Sequence, residues 1–425
     1  MSLSRSAVLL YLVVAATLVS LAIDVHLTRS YGGVDLRDKV VGSRSLLAGR
    51  SLYYDPWSPG DPEELADPML PPGAAMTRYT GTPFQALLLA PLAKLPYGLA
   101  RWLWLLAQYA LLFLAVWLAG RTHGTSHVAQ WLVMAGVLLL FLGSRSWHLH
   151  VERGQVYVIA AALIGGLFAT VATGRAALTG VLATALLMLK PTYAVVVAPL
   201  LWVVPRRAWW GGMGALLVLL AVFAVLPGGL NAWAEYRTAM TAWGQFIGRG
   251  EPPVTALAHS GYPATIEGIS GMDRHHPMEF EDGSIAAILH AFGWELPGWM
   301  PGALFVLLVA GVMGLAGRRM KHLRPGDLLL MGFCGWTVLM WLLPVPRFDY
   351  QVVHWAAPLT VLLLTHTDRP FAWNALAVVA AALLLGAWPM LPVNVLMAEM
   401  IMVGLVGAVL WQRLNTAPSA TSSQG

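Results

Sequence analysis

Long, almost uncharged apolar runs separated by short polar breaks dominate this sequence. Roughly 20 apolar residues, rising 1.5 Å each, cross the hydrocarbon core of a bilayer. On that criterion the pattern predicts membrane helices near 7–23, 99–119, 128–143, 155–172, 176–189, 191–204, 209–226, 301–317, 327–343, 352–366, 372–388 and 394–411. The predicted class is an all-α polytopic membrane protein with about 12 transmembrane helices. The segment 84–95, FQALLLAPLAKL, is apolar but too short to cross and is broken at Pro91. It reads as interfacial or re-entrant.

Two of the breaks are long, 24–100 and 227–300, and long loops in a compact architecture are usually functional. The first opens with an amphipathic helix predicted over 34–48. Val34, Val40, Val41, Leu46 and Leu47 form its apolar side and Gly49 follows as a helix stop. The second opens with NAWAEYRTAMTAWGQFIG, whose Trp and Tyr suit a membrane interface. The pattern therefore predicts one transmembrane domain over 1–411, with both long loops carrying interfacial helices. A polar tail, 412–425, is predicted to be disordered.

Composition sharpens this picture. Only 11% of residues are charged, against about 25% in soluble domains, which excludes an ordinary soluble fold. The net charge of +5 does not point to nucleic acid, because the basic residues are scattered in small groups between apolar runs. Counting spans from a cytoplasmic N-terminus puts Arg121, Arg175, Arg206, Arg207, Arg318, Arg319, Lys321, Arg324, Arg369 and Arg413 in the inner loops. By the positive-inside rule this predicts a multi-pass plasma (inner) membrane protein. Both termini are then cytoplasmic and both long loops extracytoplasmic. The lone Cys334 rules out an intrachain disulfide. The first apolar run has no small-residue cleavage site and reads as an anchor.

The polar residues left over gather on the predicted outer side. Asp35 and Asp38 lie one helical turn apart just beyond the first span. An aspartate there is suited to act as general base on a sugar hydroxyl, or else is an ordinary solvated acid. Arg78 and Tyr79 in TRYTGTPF are candidate sugar or phosphate contacts, or parts of a turn. A loop over 144–155, SRSWHLHVERGQ, brings Arg145, His148, His150, Glu152, Arg153 and Gln155 together. Its His residues at i and i+2 lack the i, i+4 spacing of a helical zinc site, so no metal is expected. Lys190 sits between two apolar runs with no acid nearby in sequence, so it either snorkels or meets a lipid phosphate. PVPRFDYQVVHW, 344–355, offers Arg347 as a second phosphate ligand, with Tyr350, Gln351 and His354 beside it.

These motifs, in this order, resemble the membrane glycosyltransferases of the GT-C superfamily, and most closely family 87, the polyprenol-phosphate-mannose-dependent alpha-mannosyltransferases. The resemblance is carried by Asp35 with Leu47, Gly49 and Tyr53, then by Tyr79, Pro83 and Ala90-Pro91-Leu92. It continues through Gly154-Gln155, Lys190-Pro191 and the turn from Pro346 to Pro358. The chain departs from the family in having Tyr79-Thr80-Gly81-Thr82-Pro83 where Tyr-Pro-Pro is common.

The resemblance implies a GT-C fold and inverting transfer of a sugar, mannose first, from a polyprenyl-phosphate donor to a glycolipid or glycan acceptor. It implies Asp35 as the base, with Asp38 left as an acid on the helix surface. Lys190, Arg347 and Arg153 would meet the donor phosphate. Tyr79, Arg78, Gln155, Tyr350 and His354 would line the sugar and acceptor. No cofactor is expected, and the partners are the two substrates and membrane lipids. The alternatives are a flippase for a lipid-linked sugar, and arabinofuranosyl rather than mannosyl transfer.

Overall fold

The computed structural model describes residues 5–54, 60–69, 79–122, 126–249, 284–285, 289, 294, 297, 299–316, 323–343, 347–365 and 393–416. The predicted span 372–388 and Arg78 lie outside them. Among the described residues the fold is entirely helical. The helices are α1 (Arg5–Ser30), α2 (Val34–Leu47), α3 (Pro83–Ala93), α4 (Tyr97–Gly120), α5 (His127–Leu142), α6 (Arg145–Arg153), α7 (Tyr157–Ala172) and α8 (Ala176–Leu189). They continue as α9 (Ala194–Val197), α10 (Arg206–Val225), α11 (Gly229–Arg249), α12 (Met300–Ala316), α13 (Pro325–Leu342), α14 (Ala356–Leu364) and α15 (Val393–Thr416).

Five of the described helices are long and apolar enough to cross a membrane: within α1, and α4, α10, α13 and within α15. The α5–α6 pair, bent by 63°, makes a sixth if it is one span. Other predicted spans are shorter apolar helices, notably α7 and α8. The run 191–204 is not one helix but a 3-10 turn (Pro191–Tyr193), α9 and a second 3-10 turn (Ala198–Trp202). The run 352–366 likewise begins as 3-10 helix, Asp349–Trp355, before α14.

Three further expectations are corrected. The first helix does not end near 23 but continues to Ser30, which moves Asp24 from a loop into a helix. The stretch 144–155 is not a loop: Ser144 caps α6 by accepting from the Trp147 N–H at 3.2 Å while donating to the Phe141 carbonyl at 2.8 Å. One serine thus ends α5 and starts α6, which explains the bend. Lastly, α2 occupies the predicted 34–48, but it is buried on nearly every side and not on one apolar face. Its buried residues include Asp38, Lys39, Ser43 and Ser45 as well as Leu36, Val40 and Leu46.

What encloses α2 is hydrogen bonding to its polar residues. Arg44 donates to the carbonyls of Ala93 at 2.9 Å, Glu64 at 2.8 Å and Leu95 at 3.1 Å, tying α2 to the end of α3 and to the 3-10 turn Glu63–Leu65. Arg37 pairs with Asp67 at 3.0 Å. The helix ends where Gly49 takes φ +73, and Arg50 N–H bonds back to the Ser45 carbonyl at 2.9 Å. The longer helices pack by close backbone approach, as small-residue contacts allow. A Cβ on Gly180 of α8 would stand 1.8 Å from the Ala208 carbonyl oxygen of α10.

Gly154 joins α6 to α7 under two constraints. Its φ is +71, and a Cβ there would come 2.6 Å from the Leu36 Cβ and 2.8 Å from Arg101 Nη1. We expect Gly154→Ala to destabilise the protein by about 1–3 kcal/mol, through backbone strain and the clash with α2. Gly98→Ala, where nothing lies within 4 Å, should be neutral. Thermal unfolding of the two variants in detergent checks the contrast.

Candidate functional site

The end of the bundle where α1 finishes, α4 and α7 begin and α8 finishes gathers most of the polar side chains singled out above. Asp35 lies in the first turn of α2, where a carboxylate complements the positive end of the helix dipole. Gly33, the residue before the helix, has φ +65 and supplies no side-chain cap. The Asp35 Oδ2 atom is buried and has no hydrogen-bond partner among the described residues. Asp38, one turn on, is only 5% exposed. It is therefore not the surface acid expected of it. Burial pushes its carboxyl well above the usual carboxylate range. The Lys39 ammonium, 3.8 Å away, offsets part of this, and the charge on Asp35 adds to it.

Lys190 is placed by a helix end. The residue before a proline is driven out of the helical region, and Lys190 is extended at φ −157, ψ 117. Ending α8 there leaves its last carbonyls without intrahelical partners. The turn before α3 supplies them. Thr82 Oγ1 donates to the Met188 carbonyl at 2.8 Å, and Gln85 Nε2 donates to the Leu189 carbonyl at 2.8 Å. Thr82 also caps α3 by accepting from Gln85 N–H at 3.3 Å. The polar part of TRYTGTPF thus holds the backbone that presents the lysine. Lys190 Nζ lies 5.7 Å from the centre of the Tyr157 ring. Among the described residues the only charge acting on it is that of Arg347, which is of like sign.

Tyr157, at the start of α7, is the hub. It stacks on Tyr350 at 6.0 Å and meets His354 edge-on at 5.0 Å. It lies close to Gln351 and within electrostatic reach of both Asp35 and Arg347. Arg153, at the end of α6, covers the Tyr350 ring at 5.6 Å and the Phe348 ring at 5.8 Å. His354 is fully buried: Nδ1 donates to the Gln351 carbonyl at 2.5 Å, and Nε2 accepts from the Tyr193 hydroxyl at 2.5 Å. The Gln351 carbonyl can only accept, so the geometry puts a proton on Nδ1. Arg347 is not an open cation. It is held by Glu399 of α15 through two nitrogens and donates from Nη1 to Gln351 Oε1 at 2.6 Å.

A second cluster stands beside this one. Asp24 is fully buried and accepts three hydrogen bonds, from Tyr109 Oη at 2.6 Å, Trp147 Nε1 at 2.9 Å and His148 Nδ1 at 2.7 Å. His150 instead accepts from the Val158 N–H through Nε2 at 3.3 Å. Arg101 is buried between Gly33 and Gly154 and donates to the Glu152 carbonyl at 2.7 Å. Its Nε and Nη1 have no partner.

Of the residues named from sequence, Asp35, Lys190, Arg347, Arg153, Tyr350 and His354 come together around Tyr157. Gln155 is buried immediately before α7. Tyr79 does not join them. It packs against Gly42 and Tyr53, near Asp38, and its hydroxyl donates to the Thr82 carbonyl at 2.6 Å. Tyr157, Tyr193, Thr82, Gln85, Asp24 and Glu399 were not singled out as site residues. Glu399 carried the usual signal, an ionisable residue within an apolar run, whereas Asp24 stood at the edge of one. The aromatic and neutral polar residues carried none.

Residues 79–346 match the family model described as Glycosyltransferase family 87. No curated protein matches the chain.

The raised Asp38 pKa has a stability consequence with a definite sign. The folded state holds this proton more tightly than the unfolded chain, so stability falls as pH rises from about 4 through the folded pKa. Asp38→Asn removes the titration. We expect its melting temperature to exceed that of the wild type at pH 7–8, with the difference closing towards pH 4. Melting curves of both proteins across that range measure it.

Proposed function

Because the chain belongs to glycosyltransferase family 87 and so is a membrane glycosyltransferase, we propose that it moves a sugar, mannose first among candidates, from a polyprenyl-phosphate donor to a glycolipid or glycan acceptor. The reaction is an inverting single displacement at the extracytoplasmic face. Asp35 takes the proton from the acceptor hydroxyl. The resulting oxygen attacks the anomeric carbon, the bond from that carbon to the phosphate oxygen breaks, and polyprenyl phosphate leaves with the electron pair. Lys190 stabilises the charge that grows on the phosphate. Arg153 and Arg347 border the same space, Arg347 with its charge already offset by Glu399. Gln155, Tyr350 and His354 shape the sugar pocket.

One observation carries this reading: among the described residues an Asp35 carboxylate oxygen has no hydrogen-bond partner and Lys190 has no carboxylate beside it, and each lies within reach of Tyr157. A buried polar group left unsatisfied is costly, so both are understood as awaiting a ligand that brings a hydroxyl to one and an anion to the other. A flippase would need a deep ionisable group with bonding capacity to spare. Asp24 and Glu399, the deep carboxylates, are engaged by donors from tyrosine, tryptophan, histidine and arginine.

Transfer from synthetic polyprenyl-phosphate sugars by the purified protein tests the proposal, with mannose and arabinofuranose donors compared. Asp35→Asn should lower kcat by roughly 10²–10⁴. Lys190→Met should lower it by about 10²–10³. Unchanged turnover in Asp35→Asn would remove Asp35 as the base. Wild-type protein inactive with every such donor would remove the donor class.

A further inference from the structure

The last described helix, beyond the residues that match the family, reaches into the site through one side chain. Glu399 is fully buried in α15. Its Oε2 accepts from Trp341 Nε1 at 2.8 Å and from Arg347 Nε at 3.3 Å, and its Oε1 accepts from Arg347 Nη2. Arg347 in turn lies 5.4 Å from the centre of the Trp336 ring, and Trp336 Nε1 donates to Thr192 Oγ1 at 3.1 Å. Thr192 belongs to the turn that follows Lys190. Lys190 lies within electrostatic reach of Arg347. Glu399 is committed to Arg347 by geometry, with Trp341 at its side and Trp336 beside the guanidinium.

We infer that Glu399 is a positioning residue that sets the charge of the phosphate site. It offsets the charge of Arg347 and so lowers by one the positive charge that the site presents to the lipid phosphate. The inference rests on the polyprenyl-phosphate reading above. The chemistry gives the arrangement a purpose. The sugar donor is a phosphodiester bearing one negative charge, whereas the leaving polyprenyl phosphate is a monoester bearing between one and two. Each positive charge removed from the site weakens the hold on the more highly charged product more than on the donor.

The test is Glu399→Gln, which keeps the shape and removes the charge. Polyprenyl phosphate should bind this variant about tenfold more tightly than wild type, because removing the Glu399 charge raises the positive charge facing the phosphate by one. Product inhibition should tighten by the same factor, with kcat and KM for the donor both falling. The melting temperature without ligand should drop and recover on adding polyprenyl phosphate by more than in wild type. Glu399→Asp should behave like wild type in product affinity. The double variant Glu399→Gln with Arg347→Gln should lose the gain.

A purely structural glutamate would lower the melting temperature without tightening product binding, and that result overturns the inference. Equal product affinity in Glu399→Gln and wild type, with the wild type active, overturns it while leaving the proposed function intact. Binding is read by titrating polyprenyl phosphate directly, so it reports even if no donor turns over. Wild-type protein that binds no polyprenyl phosphate and uses no such donor overturns both.

Discussion

A charge held inside a bundle this apolar must find its counterpart within the protein or receive one from outside. That constraint organises the structure. Asp24 is surrounded by a phenol, an indole and an imidazole, and Glu399 by an indole and a guanidinium. Asp327, at the start of α13, is met by Arg413 of α15. Against these pairs, among the described residues, an Asp35 oxygen, Lys190 and two nitrogens of Arg101 stand out. The proposed site takes in the first two.

Incomplete pairing survives only on a rigid frame. Asp35 rides on α2, a helix whose polar side chains are turned inward and clamped by Arg44 to three carbonyls. Lys190 rides on a helix end whose free carbonyls are taken up by Thr82 and Gln85. Tyr157 bridges them from the first turn of α7, and the Tyr193–His354–Gln351 chain fastens the turn after Lys190 to the late 3-10 helix. The backbone that carries each proposed site residue is thus held by hydrogen bonds between elements. Side chains held this way lose little freedom when substrate arrives.

The first long polar segment and α11 are joined in the same manner. Ser51 Oγ donates to Glu235 Oε2 at 2.5 Å, and Tyr53 packs against Tyr236 at 6.1 Å. Burial pushes the Tyr236 phenol up to about 12, so it stays a neutral hydrogen-bonding group across the physiological range. The two regions that differ most from the apolar helices therefore brace each other beside Asp35 and Asp38.

Much of this was legible from sequence. Apolar run length determined the helical class and placed α4, α8, α10 and α13 within a few residues, because in lipid a helix satisfies its own backbone, and amphipathic periodicity placed α2. Pro191 determined where α8 stops, and composition alone made Lys190 conspicuous. What sequence could not determine was pairing between distant segments. Asp38 looked like a surface acid because amphipathic periodicity says which face is apolar, not whether other chain segments later cover the polar face. Arg347 looked like an open phosphate ligand because its partner, Glu399, is 52 residues away on another helix. Asp24 looked like the start of a loop because α1 outruns its apolar stretch, and tertiary donors from α4 and α6 make that affordable. Hydrophobic pattern is a local property of the chain, whereas the free energy of a buried charge depends on what lies within a few ångströms in three dimensions, and only the packed structure decides that.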